Sequence, residues 1–193
     1  MMEESGPQNR LPQADAARLV QEICSGNEDA FKEFFFAMQP GVFRFLYRHT
    51  RNRQVAEDLT QESFLKFWEA RGRIDPARAP ASYLFRIARN LSLNHALRNA
   101  PERGLARADD EALIRYSQDP EAEYERRLAA DEVMLALSYL PERSRAAFIL
   151  SRYHDMTYEE IAETMRISLQ TVKNQISKAL MILRKRLCAD DES

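Results

Sequence analysis

The chain reads as all-α: two small helical domains, a four-helix unit and a smaller C-terminal one, joined by a flexible acidic linker. Three observations predict this. Glycine is scarce, 5 in 193 residues, while Ala, Leu, Arg and Glu are plentiful, a balance that favours helix. Apolar residues recur at helical spacing in two separate stretches. Between them, Asn99 to Pro120 carries Pro101, Gly104, Asp109, Asp110, Glu111 and Pro120 with little apolar periodicity, the signature of a linker.

Residues 1–24 are polar at first, with Pro7 and Pro12, and are expected to form a flexible lead-in. The first unit spans 25–98. Asp29 to Met38 predicts a short apolar-rich helix, and Pro40 fits the first turn of the next, where its missing N–H is not needed. A third helix is expected from about Gln54 to Ala70, carrying Val55, Leu59, Phe64, Phe67 and Trp68. The run from Arg71 to Pro76 breaks it. After Pro80 a fourth helix carries Tyr83, Leu84, Ile87, Ala88, Leu91 and Leu97.

The linker occupies 99–120 and the second unit 121–187, with an acidic tail at 188–193. Leu128, Val133, Leu135, Leu137 and Leu140 supply a helix, and Pro141 opens the next. Thr157 with Glu160 three residues on fits a capping box, ahead of Ile161, Ala162 and Met165. Ser168 then caps a final helix with Val172, Ile176, Leu180 and Leu183 inward. Two short helices with a tight turn, the second basic, describe a helix-turn-helix. Val172, Ile176, Ala179 and Leu180 form one stripe of that last helix; Gln170, Lys173, Asn174, Ser177 and Lys178 form the other. Asn and Gln can grip adenine edges, and Lys can reach guanine or phosphate. Met165 to Leu187 holds six basic residues and no acid, the field a major-groove helix needs. Arg166 sits where a turn glycine often stands.

A net charge of -2 does not itself suggest nucleic acid, but the charge is segregated. Acids gather in the linker and the following helix (Asp109 to Glu111, Asp119, Glu121, Glu123, Glu125) and in the tail. With 45% hydrophobic and 30% charged residues, the chain is expected to fold as a soluble protein. Cys24 and Cys188 form no zinc or redox pattern, which fits a reducing cytosol. Met1 to Ala14 lacks the apolar core of a signal peptide, and no apolar run approaches a membrane span. A cytoplasmic protein with no cofactor, metal site or membrane insertion is expected.

On these segments, residues 25–187 resemble the extracytoplasmic-function (ECF) sigma factors, in order and without large gaps. Asp58-Leu59-Thr60-Gln61-Glu62-Ser63-Phe64 is similar to the family's core-polymerase-binding helix. The resemblance implies that Asp58, Gln61 and Glu62 dock on the polymerase's largest subunit. They fall at i, i+3 and i+4, one patch that by spacing alone is equally an ordinary solvated helix face. Ser82 to Asn94 is similar to the family's element for the minus-ten promoter region, where a base flipped from the melted strand is held. Tyr83 offers a stacking face (many relatives have Trp there), Arg86, Arg89 and Arg98 offer charge, and Asn90 and Asn94 offer amides. Phe85 reads as core. The loop from Arg73 to Ala81 would wall the pocket.

Met156 to Ala162 and Thr171 to Ala179 resemble the two helices of the family's C-terminal DNA-binding motif. The resemblance implies that Gln170, Lys173, Asn174, Gln175, Ser177 and Lys178 read the minus-thirty-five element. The expected function is therefore a sigma factor that binds core RNA polymerase and directs promoter-specific initiation, with a membrane-linked anti-sigma factor as a further partner. A helix-turn-helix regulator and a sigma-like decoy are the alternatives. An enzyme is disfavoured: His154-Asp155 is a metal-binding dipeptide in some phosphohydrolases, but only His49 and His95 could join it, and His154 reads as an ordinary surface histidine.

Overall fold

A computed structural model describes residues 11–98 and 132–190, with side chains to residue 186. The linker 99–120, the start of the second unit and the last tail residues lie outside this range. Every element within it is helical: α1 (Gln13–Cys24), α2 (Glu28–Thr50), α3 (Arg53–Glu69), a 3-10 turn (Arg71–Arg73) and α4 (Pro80–Arg98). Then come α5 (132–138), α6 (Glu142–Tyr153), α7 (Tyr158–Met165) and α8 (Leu169–Asp190).

The lead-in expected over 1–24 is corrected by α1. Ala16, Leu19, Val20 and Ile23 recur at i, i+3, i+4 and i+7 and are buried against the first unit. The Pro12 carbonyl accepts from the Ala16 N–H at 2.9 Å, so the proline opens the helix instead of marking loose chain. A second correction concerns Pro40, which lies inside α2 and starts no new helix. Buried Phe34 and Met38 before it and Val42 and Phe45 after it pack on one body, and that packing outweighs one lost backbone bond.

Asn27 caps α2, its Oδ1 accepting from the N–H groups of Asp29 and Ala30 at 3.0 and 3.1 Å. Asn52 does the same for α3 through the Val55 N–H, at 3.0 Å. The core between α2 and α3 is aromatic. Phe34 stacks on Phe67 with centroids 5.0 Å apart, and Phe64 meets Phe35 edge-on at 4.7 Å. In the second unit Leu137, Leu140, Ile149, Leu150, Ile161 and Val172 are buried together. α8 continues to Asp190, past the expected Leu187 boundary. The two units touch: α6 lies on α2, and α7 lies on α4.

Candidate nucleic-acid interface

The helix-turn-helix is built by local hydrogen bonds. Thr157 Oγ1 accepts from the Glu160 N–H at 3.2 Å, and Glu160 Oε2 accepts from the Thr157 N–H at 2.8 Å. This closes the capping box of α7. The turn bends at Arg166, which takes the left-handed conformation (φ 52°, ψ 50°) that glycine adopts without strain. The Ile167 N–H then closes back on the Ala162 carbonyl at 3.1 Å. Ser168 Oγ accepts from the Thr171 N–H at 3.1 Å and starts α8.

With about 100° per residue, Ala179 and Leu183 lie within about 20° of the Val172 direction, whereas Leu180 lies about 80° away. Val172, Ile176 and Ala179 are buried accordingly. Leu180 is half exposed, which corrects its expected inward place. Gln170, Lys173, Asn174, Ser177 and Lys178 all face outward on α8. Gln170 Nε2 donates to Asn174 Oδ1 at 3.1 Å, so one amide orients the next. Gln175 departs from this group. Its Oε1 accepts from the buried Ser144 hydroxyl at 2.7 Å, which ties it to α6 and away from the outer face.

On α4 a second polar stripe appears. Asn90 and Asn94 stand within about 20° of the Tyr83 direction, and Arg86 and Arg98 within about 60°. Asn90, Asn94 and Arg98 are exposed, and Tyr83 is half-buried. The Phe67 ring meets Tyr83 edge-on at 5.9 Å, and the Arg86 guanidinium lies 4.5 Å over its face. Phe85 is buried, the core residue it was read to be. Arg89 is corrected: it is 8% exposed and donates to both Glu142 oxygens at 3.0 and 3.2 Å. In the neighbouring loop Asp75 Oδ1 accepts from the Ala77 N–H at 3.0 Å, while Ile74 plugs into the core.

Asp58, Gln61 and Glu62 are exposed together on α3. Gln54 donates to Asp58 at 3.1 Å, and Lys66 pairs with Glu62 at 3.4 Å. Sequence reading missed an apolar member of this part of the surface. Leu65, on the same face of α3, is 57% exposed, and only its failure to fit the inward stripe could have signalled it. His154 is not a surface histidine. It packs on Phe85 and Phe45, with centroids at 4.8 and 6.1 Å, and burial, aided by Arg48 and Arg44, pushes its pKa down to about 3. Among the described residues no cluster of three or more His, Cys, Asp or Glu gathers, and no helix is long and apolar enough to cross a membrane.

Comparison with known proteins identifies both units. Residues 34–102 match the sigma-70 region 2 family and residues 130–183 the sigma-70 region 4 family. The chain is 28% identical to the RNA polymerase sigma-H factor of Pseudomonas aeruginosa, over 92% of this chain and 96% of that one. It is 27% identical to the ECF RNA polymerase sigma factor SigW of Bacillus subtilis, over 87% and 94%. In fold it matches the sigma factor RpoE of Bartonella quintana, crystallised with the anti-sigma factor NepR. There the TM-score is 0.66 and the identity 21%, over 83% of this chain and 98% of that one. Region 2 and region 4 in this order, with curated relatives along nearly the whole length, show that the chain belongs to the ECF sigma factors, non-catalytic subunits of RNA polymerase that direct transcription initiation and bind DNA through the region 4 helix-turn-helix.

Proposed function

We propose that this sigma factor reads the minus-ten element as melted single strand and the minus-thirty-five element as duplex. The α4 stripe carries the first role: Tyr83 stacks a flipped base, Asn90 and Asn94 contact its edge or its neighbour, and Arg86 and Arg98 meet phosphates. Stacking on an aromatic contributes roughly 1–3 kcal/mol per base, enough to favour an opened strand at one or two positions. The observation that carries this reading is the alignment of half-buried Tyr83 with exposed Asn90 and Asn94 along one line of α4. A four-helix core alone would not require two asparagines there.

In the second role Gln170, Lys173, Asn174, Ser177 and Lys178 enter the major groove, while Gln175 holds α8 against α6. Asp58, Gln61 and Glu62 dock on core polymerase. An anti-sigma factor, such as the one bound to the Bartonella relative, is a further partner. The retained amides and lysines on both surfaces speak against a decoy that binds no DNA, and a simple regulator would leave the α4 stripe without a task.

The test is Tyr83→Ala combined with Asn90→Ala, read by permanganate reactivity of promoter thymines in the polymerase complex. Opening should fall at least tenfold while association with core polymerase stays at the unsubstituted level. Unchanged opening would refute the assignment.

A further inference from the structure

Between the 3-10 turn and α4 the chain forms a short arch, residues 75–79, with two fixed feet and a largely exposed crown. At the first foot Ile74 is buried and joins the core cluster that holds Leu19, Val20 and Ile23 of α1. At the second, Pro80 is buried at the start of α4. The Ala79 carbonyl accepts from the N–H groups of Ser82 and Tyr83 at 2.9 and 3.4 Å, so the arch ends one turn ahead of the Tyr83 ring. The crown carries its own turn. The Arg78 N–H closes on the Asp75 carbonyl at 3.1 Å, Pro76 pre-sets the backbone, and the Asp75 side chain accepts from the Ala77 N–H. A loop bonded internally in this way keeps its shape, and its aim is set where its feet stand.

The first foot stands on α1, which ends ahead of residue 34, where the match to region 2 begins. At the end of α1, Cys24 Sγ donates to the Ile74 carbonyl at 3.6 Å. Burial pushes the Cys24 pKa up, which keeps the proton that this weak bond needs. α1 also lies against the 3-10 turn and against α4. It is itself held in place: Arg18 donates to Glu22 at 2.8 Å and to Glu33 of α2 at 3.3 Å, and Asn27 donates to Glu22 at 3.1 Å. A groove between α1 and the arch is lined by Ala17, Arg18, Gln21, Glu22, Pro76 and Ala77. The one cation there, Arg18, is already paired with two carboxylates, so the groove does not suit a phosphate. Any influence of α1 on the DNA strand therefore passes through the arch.

We propose that α1 is a positioning element for minus-ten recognition: through Ile74 and Cys24 it aims the arch at the base stacked on Tyr83 and so helps set which base is accepted there. The proposal rests on the minus-ten reading above. A recognition wall carried on a loop discriminates only as well as its support holds it, to within roughly 0.5 Å. Ile74 is the main support, because truncating its side chain leaves a gap under the first foot that the surroundings fill only in part. The thiol bond is weak, so it tunes the aim of the arch and does not hold the domain together.

The test is run-off transcription by core polymerase with the full chain carrying Cys188→Ser, on promoters randomised at the minus-ten and minus-thirty-five elements. Tyr83→Ala with Asn90→Ala first marks the position that the pocket reads, as the one where base preference is lost. Half-buried Cys24 is then capped as its methyl disulfide with methyl methanethiosulfonate before polymerase is added, and intact mass confirms the cap. Preference at the marked position should fall at least about fivefold, the low end of what one wrong base costs. Preference at the minus-thirty-five element should hold, and dithiothreitol should restore the marked position. Ile74→Ala should repeat the loss, and Ile74→Val should keep the preference. Circular dichroism checks that each form is helical; if Ile74→Ala unfolds, the reversible cap on Cys24 decides. Unchanged preference after capping or in folded Ile74→Ala overturns the proposal, and so does a loss spread equally over both elements. Should Tyr83→Ala with Asn90→Ala leave minus-ten preference intact, the promoter reading falls instead, since that arm leaves α1 and the arch untouched.

Discussion

At the scale of single residues, the most informative positions are those where side-chain chemistry and surroundings disagree. Arg166 is held left-handed, at a cost of roughly 1 kcal/mol for a residue with a Cβ. Arg166→Gly is expected to raise the unfolding free energy of the helix-turn-helix by up to about 1 kcal/mol in urea titration. Thr157→Ala should lower it by about 1 kcal/mol, because the capping box then loses its acceptor for the Glu160 N–H. Lysines and glutamine on α8 should separate cleanly. Lys173→Ala and Lys178→Ala should each reduce the slope of log affinity against log salt by about one in promoter binding with polymerase. Gln175→Ala should leave that slope alone and cost stability instead, since it leaves the buried Ser144 hydroxyl without its acceptor. An equal slope for all three would contradict the assignment.

The outward lysines and the Tyr83, Asn90 and Asn94 line were legible in the sequence because a helix of known period fixes which residues share a face. Arg89 and Gln175 were not. Their partners, Glu142 and Ser144, sit 53 and 31 residues away, and nothing in a polar side chain announces a distant partner.

Among elements, caps and breaks read well and packing read badly. Thr157 with Glu160, Ser168 and the proline ahead of α6 announced their helices through local chemistry that needs no tertiary context. α1 was hidden because its inward stripe, Ala16, Leu19, Val20 and Ile23, is short and counts for little until a core is there to bury it. Pro40 misled for a related reason: a local breaker yields when the helix is held on both sides of it.

The contact between elements also carries a pH dependence. Burial, with Arg48 and Arg44 nearby, depresses His154 to about 3, and burial, with Arg145 and Arg89 nearby, depresses His49 against the opposing pull of Glu142. An imidazole freed by opening takes up a proton near its ordinary pKa of about 6.5, whereas the enclosed one stays neutral. Closure is therefore full above about pH 6.5 and is lost as pH falls towards 3. Glu142 is drawn up by burial, but His49 and Arg89 outweigh this and hold it below the usual carboxylate range, so it stays charged through the upper part of that window. Between pH 7.5 and 5.5 the closed-to-open ratio should drop about tenfold from His154 alone. Single-molecule energy transfer between labels on the exposed Gln21 and Lys185, in a chain carrying Cys24→Ser and Cys188→Ser, reads this directly, and His154→Phe should flatten the response.

For the molecule as a whole, division of labour explains why a chain of net charge -2 can serve DNA. Its basic and amide surfaces are small and lie on two units, so each grips weakly alone and strongly when a larger enzyme fixes both. The all-helical architecture and the order of the two units followed from periodicity and composition. Their mutual docking did not, because it depends on ionic and aromatic matches between faces that no local pattern encodes. The most direct measurement of the central claim is run-off transcription with purified core polymerase on a promoter library. Transcripts should start at discrete sites only when this chain is present, with those sites sharing sequence about 10 and 35 positions upstream. Association with core polymerase that yields no start sites, or no association at all, would contradict the account.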